Sequence, residues 1–262
     1  MHTSALFGFL AAAATAVLAV PQPDHRPNPH KAAVKCPLIF DGRIKSRTPV
    51  TDFDSASTSL FNPDNVKSSN LKWSQIIKFP EGEKWSRFDN RRHKPLEVTI
   101  SDESVFKTQY GFRRAGLIFA GDTNTGSPAS KGVKTLHFSV RQDSKRPLNL
   151  THEYLNIWHE TSDWSANQFN FQTGTINGQE GKLPKNTTLQ VYYSKGNEPL
   201  RNVTKAVSNN NAGEGQYQFG ILKKPTGTDD VVNKGYQESW IDEGQIYGGI
   251  FIEDSAGGSI SL

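Results

Sequence analysis

The chain has 262 residues, 35% hydrophobic and 21% charged, with a formal net charge of +4 and a mean hydropathy of −0.59. That length carries a sizeable core, and a lone Cys36 excludes a disulfide scaffold. Beyond the N-terminus no apolar run is long enough to cross a bilayer, and the basic residues lie scattered (Arg91-Arg92, Arg113-Arg114, Lys223-Lys224), so neither membrane nor nucleic acid is an expected partner.

Taken in chain order, Ala5 to Leu18 form an apolar stretch that closes on Ala19 before Pro21-Gln22-Pro23, which reads as a secretory signal peptide over 1–19. Residues 20–35, rich in Pro, His and Lys, read as a flexible leader, and 36–262 as a single domain. Secretion agrees with sequons at Asn149, Asn186 and Asn202, each a candidate glycosylation site. Cys36 is expected to be a small buried apolar residue. Beyond it come short strand-like runs at 38–40, 96–100, 111–120, 134–141, 153–159, 170–174, 188–194, 216–222 and 246–253, with one helical turn within 70–77. The stretches 121–132 and 208–215 read as surface connections. Five Trp, seven Tyr and fifteen Phe suit pleated sheet, and many short strands broken by Gly, Pro, Asn and Asp predict an all-β fold, an antiparallel sandwich or barrel.

Strict alternation places Leu136, Phe138 and Val140 on one face and His137 on the other. In the run 152–160 it gives one face to His152, Tyr154, Asn156, Trp158 and Glu160. The opposite face takes Leu155 and Ile157, with Glu153 and His159 at its ends. Aromatic rings beside hydrogen-bonding groups suit a sugar, whose C–H faces stack on rings while its hydroxyls need paired polar groups. A solvated sheet face with cross-strand aromatic contacts fits the same pattern. No spacing of His and Cys suggests a metal site, and neither a nucleophile elbow nor a phosphate loop is present, so no cofactor is expected.

Carboxylates are the remaining chemistry. Hydrolysis of a glycosidic bond uses two, about 5–5.5 Å apart for retention or about 6.5–9.5 Å for inversion. Glu153 and Glu160 flank the polar-aromatic run, but seven extended residues span about 23 Å and their parities differ, unless the strand ends or bulges between them. A partner from another strand is then needed: Glu97, Glu103, Asp122, Glu238 and Glu243 are the candidates.

Several segments together resemble glycoside hydrolase family 131, secreted fungal β-glucanases. They include Cys36-Pro37-Leu38-Ile39-Phe40-Asp41-Gly42-Arg43, Phe61-Asn62-Pro63-Asp64, Gly111-Phe112-Arg113-Arg114, His152-Glu153-Tyr154, Phe171-Gln172-Thr173-Gly174, Phe219-Gly220-Ile221-Leu222 and Ile246-Tyr247-Gly248-Gly249. The resemblance implies an antiparallel β-sandwich of jelly-roll type and a monomer acting on β-1,3-, β-1,4- or β-1,6-linked glucan polysaccharide or oligosaccharide. Glutamates would supply the acid and base or nucleophile. It carries Glu153 over as a catalytic carboxylate, with Glu160 kept beside it for the sugar-like face. Arg114, His137 and Trp158 become candidate substrate contacts alongside His152 and Tyr154. Three departures stand out. Gly116 replaces the glutamate the family leads one to expect after the Arg-Arg pair, and Gln218 lies where a histidine is expected. Residues 182–186 run directly into 187–190, where family members carry additional strands. Three functions follow: a hydrolase of cell-wall β-glucan, a glucan-binding protein whose catalytic pair is broken at Gly116, or a polysaccharide lyase on a similar jelly roll that uses a Tyr or His base against uronic acids.

Overall fold

The computed structural model describes residues 33–63, 66–82, 86–175, 187–196, 198–209 and 214–262. The expected signal peptide, most of the leader, Asn186 and the shortened stretch at 182–186 lie outside the described residues.

Two antiparallel sheets stack face to face. In sheet 1 the spine is β13 (Asp242–Asp254), paired along one side with β5 (Lys134–Gln142). Its other side takes β3 (Leu96–Ser101) and β1 (Leu38–Asp41), and β2 (Ile77–Lys78) lies outside β3. Sheet 2 runs β4 (Arg113–Ile118), β12 (Tyr217–Lys223), β6 (Glu153–Glu160), β7 (Asn167–Gly174). Two small ribbons pair β8 (Thr187–Leu189) with β11 (Val207–Asn209), and β9 (Tyr192–Tyr193) with β10 (Arg201–Asn202).

The core lies between the sheets. Ala115, Leu117, Ile157, Phe219 and Ile221 from sheet 2 meet Leu96, Val98, Ile100, Ile250 and Ile252 from sheet 1. Burying each larger aliphatic or aromatic side chain of this set contributes about 1.5–3 kcal/mol. Leu136, Phe138 and Val140 pack on this core as their alternation predicts. Tyr247 carries a polar link across it: its hydroxyl donates to the Gly220 carbonyl at 2.6 Å and lies 3.0 Å from that of Asn156. Gly220 has φ +149°, and a Cβ there would stand 2.0 Å from the Ala115 carbonyl oxygen, so only glycine fits.

The antiparallel sandwich expected from the sequence is the fold observed. Three local readings change. The run 188–194 splits, because β8 takes β11 as its partner while β9 takes β10, and the Val191 amide between them turns to the Thr204 hydroxyl. The connection at 121–132 is not wholly superficial, since Pro128–Ser130 forms a 3₁₀ turn that inserts Ala129 into the core. Within β6 the ladder to β7 slips between Leu155 and Ile157. This bulge resets the alternation. Leu155 therefore joins Trp158, Phe112 and Leu222 in a cluster on the outer side of sheet 2, while Tyr154 joins Ile157 in the core.

Candidate functional site

The outer side of sheet 2 gathers polar groups from three strands. Arg114 and Gly116 stand on β4, Gln218 on β12, Trp158 and Glu160 on β6, with Gln218 in register with both Ile118 and Trp158. The Arg114 guanidinium donates to Gln218 Oε1 at 3.2 Å and to Gln109 Oε1 at 3.0 Å. Gln218 Nε2 donates onward to Glu160 Oε2 at 2.6 Å, leaving Glu160 Oε1 3.9 Å from Arg114. The amide of Gln218 thus bridges a cation and a carboxylate.

Burial separates these groups. Arg114 is buried between the rings of Trp158 and Phe106, its guanidinium carbon 5.7 Å from each. That burial draws its pKa down, against the raising influence of the Glu160 charge. Arg114 Nε and Trp158 Nε1 have no hydrogen-bond partner among the described residues. Glu160 keeps 19% of its side chain exposed, so it is the carboxylate of this group that solvent or a ligand reaches. Gly116 is what lets Gln218 lie here: a Cβ at residue 116 would stand 2.8 Å from Gln218 Oε1 and 3.3 Å from the Trp158 ring.

The bulge in β6 also turns Glu153 to this side of the sheet, two residues before Leu155, at the opposite end of the strand from Glu160. Its Oε1 accepts from Gln172 Nε2 at 2.8 Å and from Lys224 Nζ, and its side chain is almost wholly buried. The two glutamates share a face, but the length of the strand lies between them.

His152 and Tyr154 are turned elsewhere, into a charged cluster at the Glu153 end. Lys223, fully buried, is held between Glu238 and Glu243, the latter at 2.6 Å. Tyr154 donates its hydroxyl to Glu243 at 2.8 Å. His152 donates Nδ1–H to the Lys224 carbonyl at 2.7 Å and sets Nε2 2.9 Å from Glu238. Burial would push Glu238 up, but hydrogen bonds from Lys223 and Asn149 outweigh it and hold the carboxyl at about 2. His137 lies on the outer side of the other sheet, stacked on Phe251 at 4.2 Å and bonded to Glu253 at 2.9 Å.

Of the residues singled out from sequence, Arg114, Trp158 and Glu160 come together, Glu153 lies at the far end of the same face, and His137, His152 and Tyr154 do not join them. None of the other candidate acids meets Glu160. Glu97 is paired with Arg146, Asp122 accepts from Ser127 and the Tyr217 amide, Glu238 and Glu243 hold Lys223, and Glu103 is exposed in the loop after β3. Sequence reasoning missed Gln172, Lys223 and Lys224 as partners of acids. The Lys-Lys pair at the end of an apolar strand was the available signal. As it stands, the group can hold a hydroxyl-rich ligand by one exposed carboxylate, but two-carboxylate chemistry needs a second acid beside it.

The sequence matches the family described as glycoside hydrolase 131 catalytic N-terminal domain over residues 38–187 and 182–258. Among curated proteins none matches. Two solved structures share the fold. One is a GH131 beta-glucanase catalytic domain from Podospora anserina, at a TM-score of 0.65 and 17% identity, covering 86% of this chain and 98% of that one. The other is the catalytic domain of a glycoside hydrolase family 131 protein from Coprinopsis cinerea, at 0.59 and 18%, covering 86% and 96%. The match extends over nearly all of the sandwich, and on it the chain belongs to glycoside hydrolase family 131.

Proposed function

We propose that this chain engages β-linked glucans of the cell wall on the outer face of sheet 2, and that it holds them without efficient cleavage. Family membership supports the ligand class. One observation carries the rest: the place next to Glu160 is filled by the neutral amide of Gln218, lying over Gly116. With a single carboxylate, a bound sugar finds an acceptor for its hydroxyls but lacks one half of the acid–base pair, and general acid–base catalysis contributes about 10²–10⁴-fold.

The purified protein is expected to sediment with insoluble β-1,3-, β-1,4- or β-1,6-glucan while releasing no reducing sugar. A Glu side chain at residue 116 has room only if the flexible end of Gln218 withdraws, so Gly116→Glu combined with Gln218→His is the variant expected to gain turnover. Reducing-sugar release by the unaltered chain would overturn the binding-only reading. The second reading, hydrolysis, rests on family membership. It requires that Glu153→Gln or Glu160→Gln abolish that release.

Secretion as a monomer belongs to the same proposal. Asn202 is exposed on an edge strand and suits a glycan. Asn149 suits one less well, because its amide donates to Glu238 at 2.8 Å and its carbonyl oxygen accepts the Thr151 hydroxyl at 2.7 Å.

A further inference from the structure

Basic residues that lie far apart in the chain meet beside sheet 1. β1 and β3 pair with the same side of β13, so the chain leaving β1 and the chain entering β3 run next to each other. Lys45 bridges His93, the Ile44 carbonyl accepts the Lys94 amide at 2.9 Å, and the Arg92 carbonyl accepts the Ser46 amide at 2.7 Å. Residues 43–48 and 90–94 together hold six Lys and Arg and no Asp or Glu, in a chain whose totals are 30 and 26.

Two tied turns present this charge. In one the Lys45 carbonyl accepts the Thr48 amide at 3.0 Å. In the other the Asn90 carbonyl accepts the His93 amide at 2.9 Å, and the Asn90 side chain accepts the Arg92 amide at 2.8 Å. Lys94 fastens the two segments: its ammonium lies 3.5 Å over the Phe79 ring and donates to the Thr48 carbonyl at 2.6 Å. Lys45, Arg47, Arg91 and Arg92 are exposed, each at or next to an end of the Ser46–Arg92 bond. With successive Cα atoms about 3.8 Å apart, their backbone lies within a surface on the order of 10 Å across.

No acid answers these four cations. None of them has an ion pair or a bonded carboxylate among the described residues. The acids that flank the two segments are engaged elsewhere. Asp41 is held by Arg43 through two bonds of 2.7 Å, and Asp89, 1% exposed, accepts the Ser86 hydroxyl at 2.7 Å and the Gly249 amide at 3.0 Å. Like charges so close repel one another, so the patch does nothing to hold the sandwich together.

We infer that Lys45, Arg47, Arg91 and Arg92 form a docking surface for an anionic polysaccharide whose carboxylates repeat along its chain, as in a polyuronate. Guanidinium forks match carboxylates, two bonds at a time. No large hydrophobic residue is exposed between 41 and 50 or between 86 and 95. A membrane surface calls for apolar side chains to insert, single-stranded nucleic acid for rings to stack on, and a protein partner for an apolar interface core. A hydrophilic polyanion needs only the charges, and membership of a glycoside hydrolase family favours a polysaccharide. The patch extends from sheet 1 and Glu160 stands on sheet 2, so this inference is independent of the β-glucan reading.

At low ionic strength the unaltered protein is expected to bind polygalacturonate and to release it as salt rises, because ion pairs to a polyanion displace its counterions. The combined variant Lys45→Gln, Arg47→Gln, Arg91→Gln and Arg92→Gln should bind about tenfold more weakly, with a flatter salt dependence and a melting temperature no lower. A second combination at exposed residues outside the patch, Lys107→Gln, Lys131→Gln, Lys205→Gln and Lys234→Gln, removes the same charge and should stay within about twofold of the unaltered protein. Equal weakening by the two combinations overturns the inference, as does failure of the unaltered protein to bind polygalacturonate. Tighter binding to duplex DNA or to phosphatidylserine vesicles at the same salt also overturns it. Retention on neutral β-glucan is expected to be the same in the patch variant as in the unaltered protein, so the two readings are tested separately.

Discussion

Glu253 and Glu160 hold similar positions, each near the end of a strand on the outer face of its sheet, yet their surroundings are opposite. Glu253 is completely buried and accepts His137 at 2.9 Å, the Ser261 amide at 2.8 Å and the Ser261 hydroxyl at 2.6 Å. Ser261 in turn accepts the Lys35 amide at 2.8 Å, so this one carboxylate ties together both termini of the sandwich. Among the described residues Glu160 accepts a single close bond, from Gln218, and it remains partly exposed. A covering segment makes the difference. The outer face of sheet 1 is roofed by Phe88 and by the chain after β13, whereas Glu160 lies under no such roof among the described residues. An acid that is closed over by its own chain is part of the scaffold, and one left open is available for a ligand.

The same substitution at both positions tests this most directly. Glu253→Gln leaves donors facing a group that has lost its charge and one acceptor, and is expected to cost about 2–4 kcal/mol in denaturant unfolding. A cost near zero would mean that sheet 1 is not closed by this residue.

Acid titration probes the far end of sheet 2. Glu238, held at about 2 against an ordinary 4.5, contributes stability that is complete above about pH 4.5 and is lost as the pH falls towards 2. The loss is on the order of 2 kcal/mol, once solvent screening at the open edge of this carboxylate is allowed for. Glu238→Gln should flatten the unfolding profile between those pH values while lowering stability at neutral pH. A profile unaltered by the substitution would show that Lys223 does not depend on this acid.

Ser261→Ala removes the hydroxyl bond to Glu253 and an acceptor for Lys35, an expected loss of about 1 kcal/mol in thermal or denaturant unfolding. Smallest in stability is Glu160→Gln, expected to stay within about 0.5 kcal/mol of the unaltered protein. Its effect should show instead as weaker retention on insoluble β-glucan. A large stability loss with unchanged retention would place Glu160 with the scaffold and erase the contrast with Glu253.

Most of the sandwich was readable from the residues. Runs such as Leu96–Ser101 and Asp242–Asp254 carry enough apolar and β-branched side chains to announce themselves, and Leu136, Phe138 and Val140 alternate without interruption. Short strands such as Arg201–Asn202 carry no such pattern, because a two-residue ladder is defined by its partner and not by its own composition. The candidate site was only half readable. Arg114 and Glu160 meet as two groups of the same expected cleft, while His152 and Tyr154 turn away because a bulge of one residue reverses which side chains face out.

Chain composition and local periodicity by themselves determined that this protein is all-β, an antiparallel sandwich or barrel, since burial of alternating apolar residues needs only their spacing. The order of its segments carried the family. Which acids are locked and which is open was decided by tertiary structure alone. An ion pair such as Glu153 with Lys224, or an amide such as Gln218 lying over Gly116, joins residues far apart in the chain, and their separation in space is fixed by strand pairing and by where the bulges fall.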